Sequence, residues 1–244
     1  MSNPAKRNAL DQAILAAITD ELTTLDAATR CVIVTGANDM FSSGYDISEI
    51  APQDFAEEAE KLVAHPFCAA LAALDAVDVP TLAVLTGSAI GGGLELALSC
   101  DLRLTSEHIR LGMPPAKLGL IYSHTGLRRF LDAIGEPRTR ELFLLGRYID
   151  AATAQSWGLV NWVVEHDELA TTALELATQL AHNSPLSMAG NKRVLRELLH
   201  AEGALDPDVE REMLSLRASS FRSQDLLEGV SAFTQKRTPS WKGR

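Results

Sequence analysis

The chain has 244 residues and a formal net charge of −10, with 46% hydrophobic and 22% charged residues. This balance is typical of a folded globular protein and excludes an intrinsically disordered chain. Phosphate contacts require clustered lysine and arginine, so the acidic total argues against nucleic acid as the main partner. Residues 1–21 do not resemble a signal peptide, and the apolar stretch 79–100 carries four glycines and Glu95, which is poor for a membrane span. We predict a cytoplasmic protein without a membrane partner.

The cysteines and histidines show no metal-ligand spacing. Cys31, Cys68 and Cys100 each lie in an apolar stretch, which predicts buried, reduced thiols. The histidines have no mutual spacing that suits a shared ion. We therefore predict no metal.

The predicted elements alternate between strand and helix in the first half of the chain. Helical spacing over 8–27 is followed by a buried-strand pattern at 31–35 and a turn-rich segment at 36–46. Next come a mostly helical stretch at 55–77 and a strand at 81–86. A helix opened by glycines follows at 94–100, and then a strand at 101–105. Helical patterns then dominate, at 130–134, 138–145, 151–157, 168–181, 185–199 and 207–220. This order predicts an α/β core followed by helices.

Two glycine-bearing segments follow predicted strands, 41–46 and 90–95. Glycines let a substrate approach the backbone closely, and a helix that begins there presents unpaired N–H groups. Such groups stabilise a developing oxyanion. Taken alone, the run Gly91–Gly93 is equally compatible with tight helix packing.

Together with other motifs, these segments resemble the crotonase, or enoyl-CoA hydratase/isomerase, superfamily along essentially the whole chain. The matching stretches are 3–10, 34–36, 41–47, 91–97, 101–103, 117–119, 150–154 and 158–161. The resemblance implies an α/β spiral of β-β-α turns, with a core at 1–184 and a C-terminal helical region at 185–244. That region is expected to assemble a homotrimer or a dimer of trimers. Family members usually have a strand pair before the first motif, and here either that pair is absent or the start of the sequence is truncated.

The resemblance implies roles for several residues. The backbone N–H groups of Tyr45 and Gly92 are expected to bind the thioester carbonyl oxygen as an enolate forms, and the Tyr45 ring to narrow the pocket. No cofactor is expected to be bound permanently, because coenzyme A enters as part of the acyl-CoA substrate. Four residues are implied to contact coenzyme A: Lys6, Arg7, Phe233 and Lys236. A solvated basic tail beside a core phenylalanine explains Phe233 and Lys236 equally well.

The acid–base residues depart from the hydratase pattern. Glu95 matches the first of two glutamates that add water to a double bond, whereas Pro115 occupies the position of the second. Tyr122 occupies the position of a tyrosine that positions the substrate carboxylate in methylmalonyl-CoA decarboxylases, which carry histidine at the position of Tyr45. His124 is a further candidate base, although a loop histidine is more often structural.

Three functions remain open from the sequence. The leading hypothesis is an acyl-CoA lyase of the hydratase/isomerase group that uses Glu95 with a non-standard partner. The alternative is a methylmalonyl-CoA-type decarboxylase that uses Tyr122. A catalytically weak acyl-CoA-binding protein is less favoured, because both oxyanion motifs and Glu95 are present. An RNA-binding role is disfavoured by the acidic charge.

Overall fold

Two four-stranded sheets organise the chain in the computed structural model, which describes residues 1–46, 61, 63–203 and 207–242. One sheet has the order β1-β3-β5-β8 and the other the order β2-β4-β6-β7. Neighbouring strands are parallel except for β6 and β7, which are antiparallel. The strands are β1 Val32–Thr35, β2 Met40–Ser42, β3 Thr81–Leu85, β4 Ser88–Ile90, β5 Leu102–Ser106, β6 Arg110–Gly112, β7 Tyr148–Asp150 and β8 Trp162–Val164.

Helices fill the spaces beside the sheets and make up most of the second half. A π-helical turn, Val63–Phe67, precedes the second of them, and a 3₁₀ turn, His166–Glu168, precedes the seventh. The α-helices are α1 Gln12–Thr23, α2 Cys68–Ala76, α3 Gly92–Leu98, α4 Pro115–Leu118, α5 His124–Leu145, α6 Ala151–Trp157, α7 Leu169–His182, α8 Pro185–Gly203, α9 Pro207–Phe221 and α10 Gln224–Thr234.

The first six strands alternate between the two sheets, which produces the expected spiral, and β7 then pairs with β6 in the second sheet. The pairs β1–β2, β3–β4 and β5–β6 each place one strand in either sheet, and α3 follows the second pair. Apolar side chains from both sheets and from the helices meet in one core, where Leu85, Leu94, Leu111 and Phe130 are fully buried. The α/β class and the β-β-α arrangement predicted from the sequence are confirmed.

Several predicted boundaries differ from those in the structure. The first helix begins only at Gln12, because the Asp11 carboxylate accepts a hydrogen bond from the Ile14 N–H at 2.8 Å and so caps it. The turn-rich segment 36–46 contains strand β2. Of the predicted helix 55–77, residues 55–60 and 62 lie outside the described residues. The five short strands β2, β4, β6, β7 and β8 were not predicted, because three residues carry too little periodicity.

The cysteine prediction is partly wrong. Cys100 is buried, Cys31 is partly buried and Cys68 is exposed, and all three are free thiols. Cys68 begins α2 directly after the turn that contains Pro66, so its side chain lies on the outer face of the helix, while Phe67 and Ala70 face the core.

Two charged side chains of α8 contact the core, one through an ion pair and the other through a hydrogen bond to the backbone. The Lys192 ammonium lies 2.7 Å from the Asp101 carboxylate, and the Arg196 guanidinium donates to the backbone oxygen of Asp75 at 2.5 Å. Large apolar side chains on α8 stay exposed, such as Leu186 at 84% and Leu195 at 60%. The boundary at residue 184 and the trimeric or hexameric assembly stay predictions.

No described helix combines the length and apolar character needed to cross a membrane.

The crossing between β3 and β4 depends on close backbone approach. A Cβ added at Gly87 would overlap the backbone oxygen of Asp39, which lies in the equivalent crossing between β1 and β2. Backbone atoms cannot move aside as a flexible side chain can. The crossings stack directly on one another, and this stacking sets the position of β2 and of the segment that follows it.

We expect Gly87→Ala to lower the free energy of unfolding by about 3 kcal/mol, because overpacking of backbone against backbone has no local relief. Chemical denaturation at a fixed protein concentration measures the change. The matched control is Gly190→Ala on α8, where the added methyl group meets no atom within 4 Å. That control should change stability by less than about 1 kcal/mol, in the stabilising direction. Equal effects of the two changes would contradict this account of the crossing.

Candidate active site

The two glycine-bearing segments lie against each other at the end of β2 and the start of α3. A Cβ added at Gly93 would lie 2.6 Å from the Cβ of Ser42, so only glycine fits at this contact. Gly44 has a φ of +95°, which glycine adopts without strain. The Leu10 N–H donates to the Gly44 oxygen at 2.8 Å and fixes the first segment. The predicted juxtaposition of the two motifs is therefore present.

Two backbone N–H groups are available at this junction. Gly92 is the first residue of α3, where N–H groups have no partner within the helix. In the described part of the chain, neither the Gly92 nor the Tyr45 N–H donates to a protein acceptor. The Tyr45 ring packs on Gly92, where an added Cβ would lie 2.7 Å from Cε1. Both residues line one cavity, and their amides are suited to bind a carbonyl oxygen.

The cavity has a volume of about 110 Å³ and a mostly apolar wall. Pro115, at the position of the expected second glutamate, is buried and belongs to that wall. The polar side chains that reach the cavity are hydroxyls and one guanidinium, and no described aspartate or glutamate lines it. The apolar wall consists of Ile90, Met113, Pro114, Pro115, Leu118, Leu120, Ile121, Phe221 and Leu226.

Tyr122 lines the cavity and forms a buried pair with Glu95. The Tyr122 hydroxyl donates to Glu95 Oε2 at 2.5 Å, and Glu95 is 2% exposed. The Tyr45 hydroxyl lies 3.5 Å from the Tyr122 hydroxyl. Of these two partners of Tyr122, Tyr45 lines the cavity and Glu95 does not. Tyr122 therefore lies between the cavity and Glu95.

Burial dominates the electrostatics of this pair. It raises the pKa of the Glu95 carboxyl, although the hydrogen bond from Tyr122 and the charges of Arg129 and Arg217 oppose the shift. Burial, followed by the negative charge of Glu95, raises the pKa of the Tyr122 phenol well above its ordinary range. The phenol stays protonated, and the carboxyl holds its proton more tightly than an exposed glutamate does.

Two arginines supply positive charge near Glu95. Arg129 on α5 is neutralised by Asp75, with Nη1–Oδ1 and Nη2–Oδ2 distances of 3.1 and 2.5 Å. Arg217 on α9 lines the cavity and is 9% exposed. Sequence reasoning missed Arg217. The only indication in the sequence is that Phe221 follows four residues later. This spacing places the Arg217 charge on the same helix face as a buried aromatic ring.

The structure does not bring His124 into the cavity wall. His124 is the first residue of α5, and its Nε2 lies 3.6 Å from the Glu210 carboxylate on α9. Ser123, which does line the cavity, caps α5 by accepting from the Gly126 N–H at 3.1 Å. The catalytic role of His124 stays a prediction.

The N-terminal pair implied to contact coenzyme A lies beside the first oxyanion motif. Ser43, which lines the cavity, donates its N–H to the Arg7 oxygen and its hydroxyl to the Lys6 oxygen, both at 3.1 Å. The Lys6 ammonium lies 2.8 Å from the Asp46 carboxylate. A phosphate bound by Lys6 would therefore compete with Asp46.

The C-terminal pair lies farther along the chain, at the end of α10. Leu226 near the start of this helix lines the cavity, whereas Phe233 is 72% exposed. Lys236 follows the helix with a φ of +53°. An exposed phenylalanine beside a lysine is compatible with contact to another subunit's ligand, and this role stays a prediction. Within the described residues, no three metal-ligating side chains cluster together.

Comparisons with known proteins point to one family. A profile of the family described as enoyl-CoA hydratase/isomerase matches residues 1–244. The 2,3-dehydroadipyl-CoA hydratase of Escherichia coli K12 is 35% identical over 248 residues, which cover 100% of this chain and 94% of the relative.

Two solved structures share the fold along nearly the whole chain. The crystal structure of a methylmalonyl-CoA decarboxylase superposes with a TM-score of 0.89 at 27% identity, and 99% of this chain covers 92% of that one. An enoyl-CoA hydratase from Bacillus anthracis gives a TM-score of 0.76 at 30% identity, with coverage of 100% and 94%. The chain belongs to the enoyl-CoA hydratase/isomerase family.

Proposed function

We propose that this protein is an acyl-CoA lyase that adds water reversibly to a 2-enoyl-CoA thioester. The observation that carries the proposal is the 2.5 Å hydrogen bond between the Tyr122 hydroxyl and Glu95, set beside two backbone amides that donate to no acceptor among the described residues. The amides stabilise the negative charge that develops on the thioester oxygen. The tyrosine–glutamate pair moves the proton.

The addition begins with a water molecule beside Tyr122. Its oxygen bonds to the β-carbon, and the electron pair of the double bond moves through the α-carbon to the thioester oxygen. The N–H groups of Tyr45 and Gly92 hold the enolate that results. The water proton passes to the Tyr122 oxygen while the phenol proton passes to Glu95 Oε2.

The addition ends with protonation of the α-carbon. The proton on Glu95 returns to Tyr122, the tyrosine passes its proton to the carbon, and the enolate collapses to the saturated thioester. One water has then been added, and both side chains have regained their starting state. This relay replaces the second glutamate, whose position Pro115 occupies, and it explains how Glu95 acts without lining the cavity.

The relatives support hydration. Besides the E. coli hydratase, the carnitinyl-CoA dehydratase of Salmonella typhi is 35% identical over 223 residues and acts, by its name, in the direction of water removal. Addition and removal of water pass through the same enolate and the same transition states in opposite order. On the same resemblance we propose that Lys6, Arg7, Phe233 and Lys236 contact coenzyme A, and that the chain forms trimers or hexamers.

Decarboxylation of a methylmalonyl-type thioester is the second candidate. Two observations favour it: the described cavity wall contains no carboxylate, and the decarboxylase structure superposes with the higher TM-score, 0.89 against 0.76. Loss of carbon dioxide leaves an enolate that needs the same two amides but no base. Tyr122 would position the carboxylate and protonate the α-carbon.

Product analysis separates these functions. We expect crotonyl-CoA to give 3-hydroxybutyryl-CoA, and methylmalonyl-CoA to be left unchanged, when the products are resolved by chromatography. Propionyl-CoA formed from methylmalonyl-CoA, without hydration, would replace the proposed function by decarboxylation. Binding of both thioesters without any product would contradict hydration of crotonyl-CoA and leave either another acyl-CoA substrate or an acyl-CoA-binding protein.

Glu95→Gln and Tyr122→Phe should each lower kcat by about 100- to 10,000-fold, because each interrupts the same proton relay. KM should change little, and the double variant should lose no more than either single one. Steady-state kinetics measures both quantities. The control is Tyr148→Phe, since Tyr148 is 43% exposed. Full activity of Glu95→Gln would remove Glu95 from the mechanism.

The pH profile of kcat/KM should show an acid limb above the ordinary range of a glutamate. Burial raises the pKa of Glu95, and only the ionised carboxylate accepts the proton that Tyr122 releases. Activity therefore rises as the pH increases through that pKa. The limb should be absent from the residual activity of Glu95→Gln, and its persistence there would assign it to another group.

A further inference from the structure

Arg217 is the one side chain of the described cavity wall that carries a formal charge, and no described residue forms an ion pair with it. Glu95 interacts with it only through its charge, without a hydrogen bond. The Arg217 Nη2 is buried and has no hydrogen-bond partner in the part of the chain that the structure describes, and 9% of the residue is exposed. Arg129, the other arginine near Glu95, forms a two-point ion pair with Asp75. The cavity wall beside Arg217 is apolar, including Leu226 and Ile121.

The contact to Phe221 does not satisfy the guanidinium. The Arg217 Cζ lies 5.4 Å from the centre of the Phe221 ring, a distance at which the ring attracts the charge. A ring cannot accept the hydrogen bonds that the in-plane N–H groups of a guanidinium donate. A buried donor without an acceptor destabilises the protein, and a buried charge does so more strongly. An arginine kept in that state points to an anion that the cavity receives.

We propose that Arg217 binds a carboxylate on the acyl group, so that the substrate is the coenzyme A monothioester of a short dicarboxylic acid. A planar guanidinium matches a carboxylate with two parallel hydrogen bonds. A plain fatty acyl chain would fill the apolar wall but leave Arg217 unpaired. This inference rests on the proposed function and names the substrate class for the same site.

The reaction retains this carboxylate. An ion pair with Arg217 stabilises a carboxylate more than neutral carbon dioxide, so it would oppose loss of the same group.

The size of the cavity limits the length of the acyl group. Because an apolar cavity of about 150 Å³ accommodates benzene, one of about 110 Å³ suits an acyl group of about four carbons.

Binding of two stable thioethers tests the proposal without requiring turnover. S-(3-carboxypropyl)-coenzyme A and S-butyl-coenzyme A differ only in a terminal carboxylate against a methyl group. By isothermal titration calorimetry, the unmodified protein should bind the carboxylate ligand about 10- to 100-fold more tightly. Arg217→Gln should abolish this preference by weakening binding of the carboxylate ligand, while the butyl ligand binds as before or more tightly.

The control variant is Arg222→Gln, which removes an exposed charge five residues later and should leave the preference intact. Equal binding of the two ligands by the unmodified protein would overturn the proposal. So would a loss in Arg217→Gln that affects both ligands equally, because that pattern indicates a structural role. Thermal unfolding of Arg217→Gln should show an unchanged or raised Tm, since an unpaired buried charge has been removed.

Turnover distinguishes failure of this inference from failure of the proposed function. The unmodified protein should hydrate trans-butenedioyl-CoA with a kcat/KM about 10- to 100-fold above that for crotonyl-CoA, which has a methyl group in place of the carboxylate. Hydration of crotonyl-CoA without that preference would overturn the role of Arg217 alone. A carboxylate preference in binding without hydration of either thioester would overturn the proposed lyase and leave Arg217 assigned.

Discussion

The contact between the segment after β2 and the first turn of α3 is the constraint on which the candidate site depends. Gly93 lies so close to Ser42 that a methyl group would not fit, and Gly44 adopts a left-handed conformation beside it. This packing brings the Tyr45 and Gly92 amides to one cavity. A backbone amide cannot be repositioned by a rotamer change, so the geometry of the two donors follows directly from the stacking of the strand crossings below them.

The proline at position 115 leaves the tyrosine–glutamate pair as the candidate route for proton transfer at this site. Pro115 gives the cavity a proton-inert surface where the hydratase pattern has a carboxylate. The phenol of Tyr122 stands between the remaining carboxylate and the cavity, and the Tyr45 hydroxyl lies next to it. Proton transfer to a ligand can therefore pass through a side chain that is neutral over the whole physiological range, while Glu95 stays protected from water.

Charge in and around the cavity is unevenly distributed. Asp75 neutralises Arg129, whereas Arg217 has an aromatic neighbour and an apolar wall. An acidic protein with a net charge of −10 thus presents a single formal positive charge to the interior of its described cavity. Global charge gave no indication of this feature, because the field inside a small apolar cavity is set by the nearest charged group.

The sequence by itself determined the α/β class, because apolar runs and their spacing are visible along the chain. Its motifs determined the family, and the resemblance to that family implied the spiral and the role of the two glycine-bearing segments. It also identified Glu95, Tyr122 and the proline at position 115. Only the tertiary structure decided that Tyr122 bonds to Glu95, that His124 faces Glu210 instead of the cavity, and that Arg217 reaches the site from α9. These contacts join residues 27, 86 and about 120 positions apart. The local spacing of apolar residues cannot predict contacts between residues so far apart in sequence. These contacts are set by the packing of the helices on the core.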